Sequence, residues 1–201
     1  MHLVLDRVVS EIANELSDLD TETAQLYPGA LTYKWTAQQV IEHLVLSYRM
    51  TNDALQTRLV KGRVVRKKRT LLQWSLQLMI LSCGEFPEGV PALEETTPEP
   101  EKFAAMSGRQ LGKFLREEAE AMNTLLDRCR RKFGMERVAI HPWLGPLRVD
   151  QWRRFHSLHG SHHLNQLRSV LAQVSPEPLP VKHTTGSFVK ELQMNEPLLK
   201  S

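Results

Sequence analysis

Four of the eight histidines in the chain fall within one short segment, Phe155 to Leu167. Two of them, His159 and His163, are four residues apart, so on a helix their rings lie one turn above the other on the same face. Two imidazoles placed in that way can bind one metal ion. A complete site then needs a third side chain that reaches the same point from another part of the fold.

The third ligand that the pattern favours is His43. Thr36 with Gln39 three residues later is typical of a capping box, and Trp35 before it can pack on Val40, so a helix is predicted to begin at Thr36. The helical spacing places His43 on or beside the buried stripe of that helix. Three neutral imidazoles plus water form a catalytic zinc site, and nickel or iron also accept nitrogen ligands. For His43 considered alone, the favoured interpretation is a hydrogen-bonded histidine on an apolar face.

The elements that carry these histidines are predicted to be helices. Apolar residues recur at helical spacing almost throughout, and no sustained alternating run with hairpin turn residues interrupts them. Prolines at positions 87, 91, 98 and 100 predict a long surface connection without regular helix, and residues 141–147 read as a rigid, turn-rich link. The predicted helices cover residues 3–16, 36–59, 71–81, 107–133 and 149–174.

Four long helices with a long crossover between the second and the third predict an all-α four-helix bundle with an extra short helix. The bundle is expected over residues 1–175, and residues 176–201 are expected to form an irregular or partly disordered tail. The core of such a bundle can hold a metal between facing side chains. Contact between the helix that carries His43 and the helix that carries His159 and His163 would bring the three rings together.

Composition places the chain among globular proteins and limits which of its side chains could bind a metal. No apolar run approaches the roughly 20 residues needed to span a bilayer, and Asp6 interrupts the stretch where the apolar part of a signal peptide would fall. A cytoplasmic protein without a membrane partner is therefore expected. Cys83 and Cys129 form no paired motif, so any metal would depend on nitrogen and oxygen ligands.

Basic residues cluster in the segment 61–69, and an acidic stretch follows. Such a cluster can touch phosphate groups. The favoured interpretation is a solvated loop between two helices, because no aromatic residues are interleaved and no nucleic-acid motif is visible. No nucleic-acid partner is expected.

Three motifs together resemble the DinB-like superfamily over roughly residues 1–175. They are the segment Trp35 to Leu44, the pattern His159-x-x-x-His163-x-x-Gln166, and the link that begins His141-Pro-Trp-Leu-Gly-Pro-Leu, which is similar to an HP-x-x-G-x-L segment of small uncharacterised members. The resemblance implies a four-helix bundle with up-down-down-up topology. It also implies a metal triad of one histidine on the second helix and the two of the HxxxH motif, here His43, His159 and His163.

The resemblance implies two reaction classes for such a site. Some relatives are metal-dependent thiol transferases that use low-molecular-weight thiols, and others are described as metal-dependent hydrolases. A divalent metal, zinc or nickel with manganese or iron as further options, a small-molecule partner such as a thiol, and a homodimer are expected on this basis. The alternative is a non-enzymatic helical module, with a structural or empty metal site, that pairs with itself or with a partner.

The remaining polar residues have competing interpretations. His141 is a candidate acid or base or else a structural turn residue, and His156, one turn before His159, is a candidate outer-shell or substrate-facing group or else part of the packing. Gln166 can orient a ligand or simply cap the polar row. His162 is rotated about 100° from His163 and is expected outside the site. Glu42 points away from His43 on helical spacing, and the spacing does not place Asp53 relative to the site.

Overall fold

The computed structural model describes residues 2–29, 34–86, 92–99 and 102–174. Across these residues the protein is mostly helical, with one two-stranded sheet. In chain order the elements are α1 (Leu3–Leu16), α2 (Thr21–Ala24), α3 (Ala37–Lys61), α4 (Leu71–Gln77) continued by a π-helical segment (Leu78–Cys83), a 3-10 helix (Glu94–Thr96), α5 (Gly108–Phe133), β1 (Arg137–His141), β2 (Gly145–Arg148) and α6 (Val149–Val174). The predicted tail, 176–201, lies outside the described residues.

The helices begin and end close to their predicted limits, because their caps are local features. The Thr36 hydroxyl accepts a hydrogen bond from the Gln39 N–H at 3.2 Å, and the Gln39 side chain accepts one from the Thr36 N–H at 2.9 Å. The predicted capping box at the start of α3 is therefore confirmed. At the start of α5, the side chain of Gln110 accepts a hydrogen bond from the Ser107 N–H at 2.8 Å. Gly134 caps the C-terminal end of the helix, directly after Phe133.

The prediction of an all-α chain is wrong at one place. β1 and β2 pair as an antiparallel hairpin, from Arg137 opposite Arg148 to His141 opposite Gly145, where a turn-rich link was expected. The strands lack the alternating pattern of a half-buried sheet, since consecutive residues are buried in both of them. They are also short, and Pro146 within β2 is typical of a turn or an edge strand.

One hydrophobic core lies between the four long helices. α1 and α3 each pack against both α5 and α6. The backbones of α1 and α5 approach closely at Gly108, where an added Cβ would lie 1.8 Å from the carbonyl oxygen of Leu16. Only glycine permits this approach, and it sets the position of α5 in the core. Among the described residues, no helix combines the length and the apolar character that crossing a membrane requires.

The connection between α4 and α5 contributes to the interior, although a surface connection was predicted. Its 3-10 helix packs against α3, and Thr96 in that helix is only 2 % exposed. Pro98 follows this one-turn helix and cannot donate the backbone hydrogen bond that would extend it. A segment predicted to be peripheral therefore reaches α3 at His43, in the second turn of that helix.

The surface near α4 combines charge with an apolar stripe. The basic residues of the segment 61–69 are exposed in the loop that joins α3 to α4, in agreement with the predicted solvated loop. On α4 and the π-helical segment, Leu71, Trp74 and Leu78 follow helical spacing along one side and are 88 %, 49 % and 49 % exposed. We call these three residues the α4 stripe.

Candidate metal centre

The three histidines predicted to bind metal lie together between α3 and α6. His43 comes from α3, and His159 and His163 come from successive turns of α6. The Nε2 atom of His159 is 3.1 Å from Nε2 of His43 and 3.0 Å from Nε2 of His163. All three residues are buried, and one nitrogen from each lies within 4.8 Å of the others. Ligands of a tetrahedral zinc ion at about 2.0 Å would be roughly 3.3 Å apart, which is close to these separations.

Two of the rings are oriented by acceptors on their outer side. Nδ1 of His43 lies 2.8 Å from the carbonyl oxygen of Thr96, and Nδ1 of His163 lies 2.7 Å from Oε1 of Gln166. Carbonyl oxygens only accept hydrogen bonds, so in each neutral ring the proton lies on Nδ1. The Nε2 lone pairs are therefore free and face the centre of the cluster, as metal ligation requires. Gln166 thus occupies the orienting position that was one of its predicted roles.

His159 is held by aromatic packing. Its ring is stacked on Phe155 at 5.3 Å between centroids and lies 5.8 Å from the ring of Phe86. Its Nδ1 atom is buried and has no hydrogen-bond partner among the described residues. The direction in which its Nε2 atom points is therefore set by the packing of these rings.

Burial keeps the three imidazoles neutral. It lowers the pKa of His43 to about 4 and the pKa of His163 to about 3, and it lowers the pKa of His159 well below the ordinary value. The charges of the neighbouring histidines act in the same direction. At neutral pH the cluster consists of three neutral imidazoles whose Nε2 atoms converge, a donor set that fits one divalent cation and leaves a coordination position free.

The three histidines line a cavity of about 740 Å³. Much of its wall is apolar and aromatic. Lys34 also lines it, and no aspartate or glutamate does so among the residues that the structure describes. A divalent cation held by neutral imidazoles would keep its full charge in this apolar setting, so the free position favours an anionic ligand. Apolar and aromatic residues of the wall include Trp35, Met50, Phe86, Leu93, Trp143 and Phe155.

His156, His162 and His141 differ in whether they line the cavity. His156 is fully buried, stacks on Trp152 and places Nε2 3.0 Å from Oγ1 of Thr51; it does not line the cavity. His162 is exposed and is not part of the cluster, as expected, but it does line the cavity. His141 lies at the end of β1, lines the cavity and also accepts hydrogen bonds within the hairpin turn.

The two acidic candidates lie away from the cavity. Glu42 is buried and accepts a hydrogen bond from Gln38 Nε2 at 2.7 Å, while burial raises the pKa of its carboxyl. Asp53 is exposed. Neither residue lines the cavity, so neither is placed to exchange protons with a ligand there.

Sequence reasoning missed the groups that surround the ligands. Thr96 acts through its backbone carbonyl, which any residue type provides, so no side-chain signal marks it. Trp35 was assigned a packing role at the helix start, yet its ring lies 4.9 Å from that of His43. The helical spacing of Phe155 and His159 did contain a usable signal, because residues four apart on α6 share a face.

A comparison with protein-family models identifies the family. The model of a family described as a protein of unknown function, DUF1569, matches residues 6–170. The chain therefore belongs to the DUF1569 family. No curated protein and no solved structure matches it.

Metal analysis should distinguish the ligand histidines from their neighbour. Protein purified without a histidine tag or chelator is expected to contain close to one equivalent of a divalent metal, and His159→Ala to lose it, because two nitrogens rarely retain such an ion. His162→Ala removes an imidazole from the same cavity but not from the cluster, and it should keep the metal. Elemental analysis of the three proteins, with circular dichroism to verify the fold, is the measurement. Equal metal content in His159→Ala and wild type would contradict the assignment.

The buried histidines should also make the metal-free protein sensitive to acid. Unfolded histidines titrate near 6.5, whereas burial lowers the pKa of His156 to about 3, so the unfolded chain binds more protons as the pH falls below 6.5. The free energy of unfolding is therefore expected to decrease from pH 6.5 towards pH 4, and His156→Phe should reduce that slope by up to about 1.4 kcal/mol per pH unit.

Urea unfolding at several pH values measures this slope. Phenylalanine preserves the ring that packs on Trp152 and Tyr48. Ser161→Ala, an exposed neutral change on the same helix, is the control and should leave the slope as in wild type. An unchanged slope in His156→Phe would show that this histidine is protonated equally in both states.

Proposed function

We propose that this protein is a DinB-like metalloprotein in which His43, His159 and His163 hold one divalent metal ion, zinc or nickel by preference, with manganese or iron as alternatives. The observation that carries the proposal is the convergence of the Nε2 atoms of three neutral imidazoles at the wall of a largely apolar cavity. We further propose that the site transfers a thiol to an electrophilic small molecule, with hydrolysis as the second reaction class.

The DinB-like assignment is supported by the order and packing of the elements. Four long helices share one core, a long connection separates the second from the third, and the ligands come from the second and the last. This is the arrangement expected of an up-down-down-up four-helix bundle with its metal triad in the core.

The side chains favour thiol transfer over hydrolysis. A bound divalent metal lowers the pKa of a thiol or a water in its free position and stabilises the resulting anion. Attack by water is assisted by a general base, and no carboxylate lines the cavity among the described residues. A thiol, with an ordinary pKa of about 8.5, reaches its anion more readily than water, with a pKa of about 15.7, so it depends less on such a base. Its sulfur forms a bond to the electrophilic carbon, and the leaving group departs with the electron pair.

The protein contributes position and environment to this reaction. Thr96 and Gln166 hold two imidazoles with Nε2 free, and Phe155 and Phe86 fix the third. The apolar wall limits water near the reacting atoms, which strengthens electrostatic interactions with the anion. Specificity for the electrophile then depends on the fit of its apolar part to the cavity.

A conjugation assay tests this function. Metal-loaded wild-type protein should accelerate the reaction of cysteine or a related small thiol with 1-chloro-2,4-dinitrobenzene, and His43→Ala should return the rate to that of the uncatalysed reaction, because the metal is lost. His162→Ala is the matched control and should retain metal-dependent activity. A set of activated esters assayed in parallel reports on hydrolysis. Acceleration that is independent of metal, or absent with every thiol and ester, contradicts catalysis.

The α4 stripe favours a second candidate function, a helical module that pairs with a second copy of itself. Exposed apolar residues in a contiguous stripe are typical of interaction surfaces, and single exposed residues such as Val60 are not. Leu71→Glu with Leu78→Glu should convert a dimer to a monomer in analytical ultracentrifugation, whereas Val60→Glu should leave the dimer intact. A monomeric wild-type protein would exclude this pairing.

A further inference from the structure

His141 joins the hairpin turn to the cavity. It is the last residue of β1 and is 7 % exposed, and its ring forms part of the cavity wall. The ring packs edge-on to Phe155 at 4.5 Å, and Phe155 also stacks on the ring of His159 at 5.3 Å. One phenylalanine therefore separates His141 from the histidine cluster.

The turn determines the tautomer of His141. Its Nδ1 atom accepts hydrogen bonds from the backbone N–H groups of Trp143 and Leu144, each at 3.2 Å. Pro142, between them and His141, has no N–H to offer. A nitrogen that accepts two hydrogen bonds carries no proton, so the proton of the neutral ring lies on Nε2.

The same contacts keep the ring neutral. Protonation of Nδ1 would place a third N–H against two backbone donors and would break both hydrogen bonds. Burial lowers the pKa of His141 to about 4, in the same direction as this steric and electrostatic conflict. The residue is therefore unsuited to act as a general base at neutral pH, since its only lone pair is occupied by the turn.

The Nε2 atom of His141 is available to a ligand. It makes no hydrogen bond within the described part of the chain, yet it is not among the atoms sealed from solvent without a partner. Since the ring lines the cavity, we infer that Nε2–H of His141 donates a hydrogen bond to a carbonyl or oxyanion oxygen of the ligand whose metal-binding end lies at His43, His159 and His163. This inference rests on the proposed metal site and adds a second point of recognition to it.

The metal site and the Nε2–H donor of His141 together define the class of ligand. One end carries an anion such as a thiolate, the other carries an oxygen acceptor, and the body between them is apolar to suit the aromatic wall. A neutral imidazole that donates through Nε2 polarises a carbonyl without transferring a proton. His141 thus binds and polarises the ligand, in place of the acid or base role that was one of its predicted alternatives.

The turn alone does not require histidine. The Oδ1 atom of an asparagine at position 141 occupies nearly the same place as the Nδ1 atom and can accept the same two backbone N–H groups. Asparagine has no group at the position of Nε2, so His141→Asn keeps the turn and removes the donor. His141→Gln is the complementary variant, because its amide N–H reaches towards the Nε2 position while the acceptor for the turn is lost.

Paired thiols test the inference on the cobalt(II)-substituted protein. Thiols with a methyl ketone at increasing distance from the sulfur are compared with alkanethiols of equal length, and binding is followed by the thiolate-to-cobalt absorption band. In wild type, the ketone of suitable length should bind about five- to tenfold more tightly than its alkanethiol. His141→Asn should abolish this preference while circular dichroism shows that the fold persists, whereas His141→Gln should retain part of the preference.

Each outcome has a definite meaning. A preference that persists in His141→Asn, or that is absent from wild type at every length, overturns the inference. If no thiol produces the band, the proposed metal function fails, and the inference is then decided by nitrogen-15 NMR of the metal-free wild type, which reports the tautomer directly. A neutral ring with its proton on Nε2 at pH 7 supports it. A proton on Nδ1, or a charged ring, overturns it.

Discussion

The convergence of three imidazole nitrogens between α3 and α6 is the constraint on which the rest of the site depends. The Nε2 atom of His159 lies 3.1 Å from that of His43 and 3.0 Å from that of His163, so the packing must hold three polar rings together or a cation must lie among them. α1 and α5 supply that packing, because both helices contact α6 and the close approach at Gly108 sets their mutual position. Exclusion of water by the same core keeps the histidines neutral and lets them act as ligands.

Partners outside the cluster determine which nitrogen of each ring is free. The Thr96 carbonyl and the Gln166 amide oxygen accept hydrogen bonds from Nδ1–H of His43 and His163. Two backbone N–H groups of the turn donate to Nδ1 of His141, so its proton lies on Nε2. The same residue type therefore provides acceptors at one part of the cavity wall and a donor at another. The connection between α4 and α5 supplies the acceptor for His43, and the hairpin turn supplies the donors to His141. These are the least regular parts of the fold.

The accuracy of the sequence-based predictions followed the range of the interactions involved. The limits of α3 depend on Thr36 and Gln39, three residues apart, and such local hydrogen bonds are visible in the sequence. The hairpin escaped prediction, because its strands are short and its buried residues are consecutive. The burial of Thr96 was equally hidden, since it arises from packing of the 3-10 helix on α3 and from no pattern within the connection itself.

The sequence by itself determined the helical character of the chain, the positions of its caps and the pairing of His159 with His163, since each depends on residues within one or two turns of each other. With the family resemblance, it also pointed to His43 as the third ligand. Only the tertiary structure decided that the three Nε2 atoms converge, that His156 is enclosed in the packing and that His141 faces the cavity. These outcomes depend on contacts between residues far apart in the chain and on which backbone groups lie beside each ring. Spacing along one helix contains no information about either.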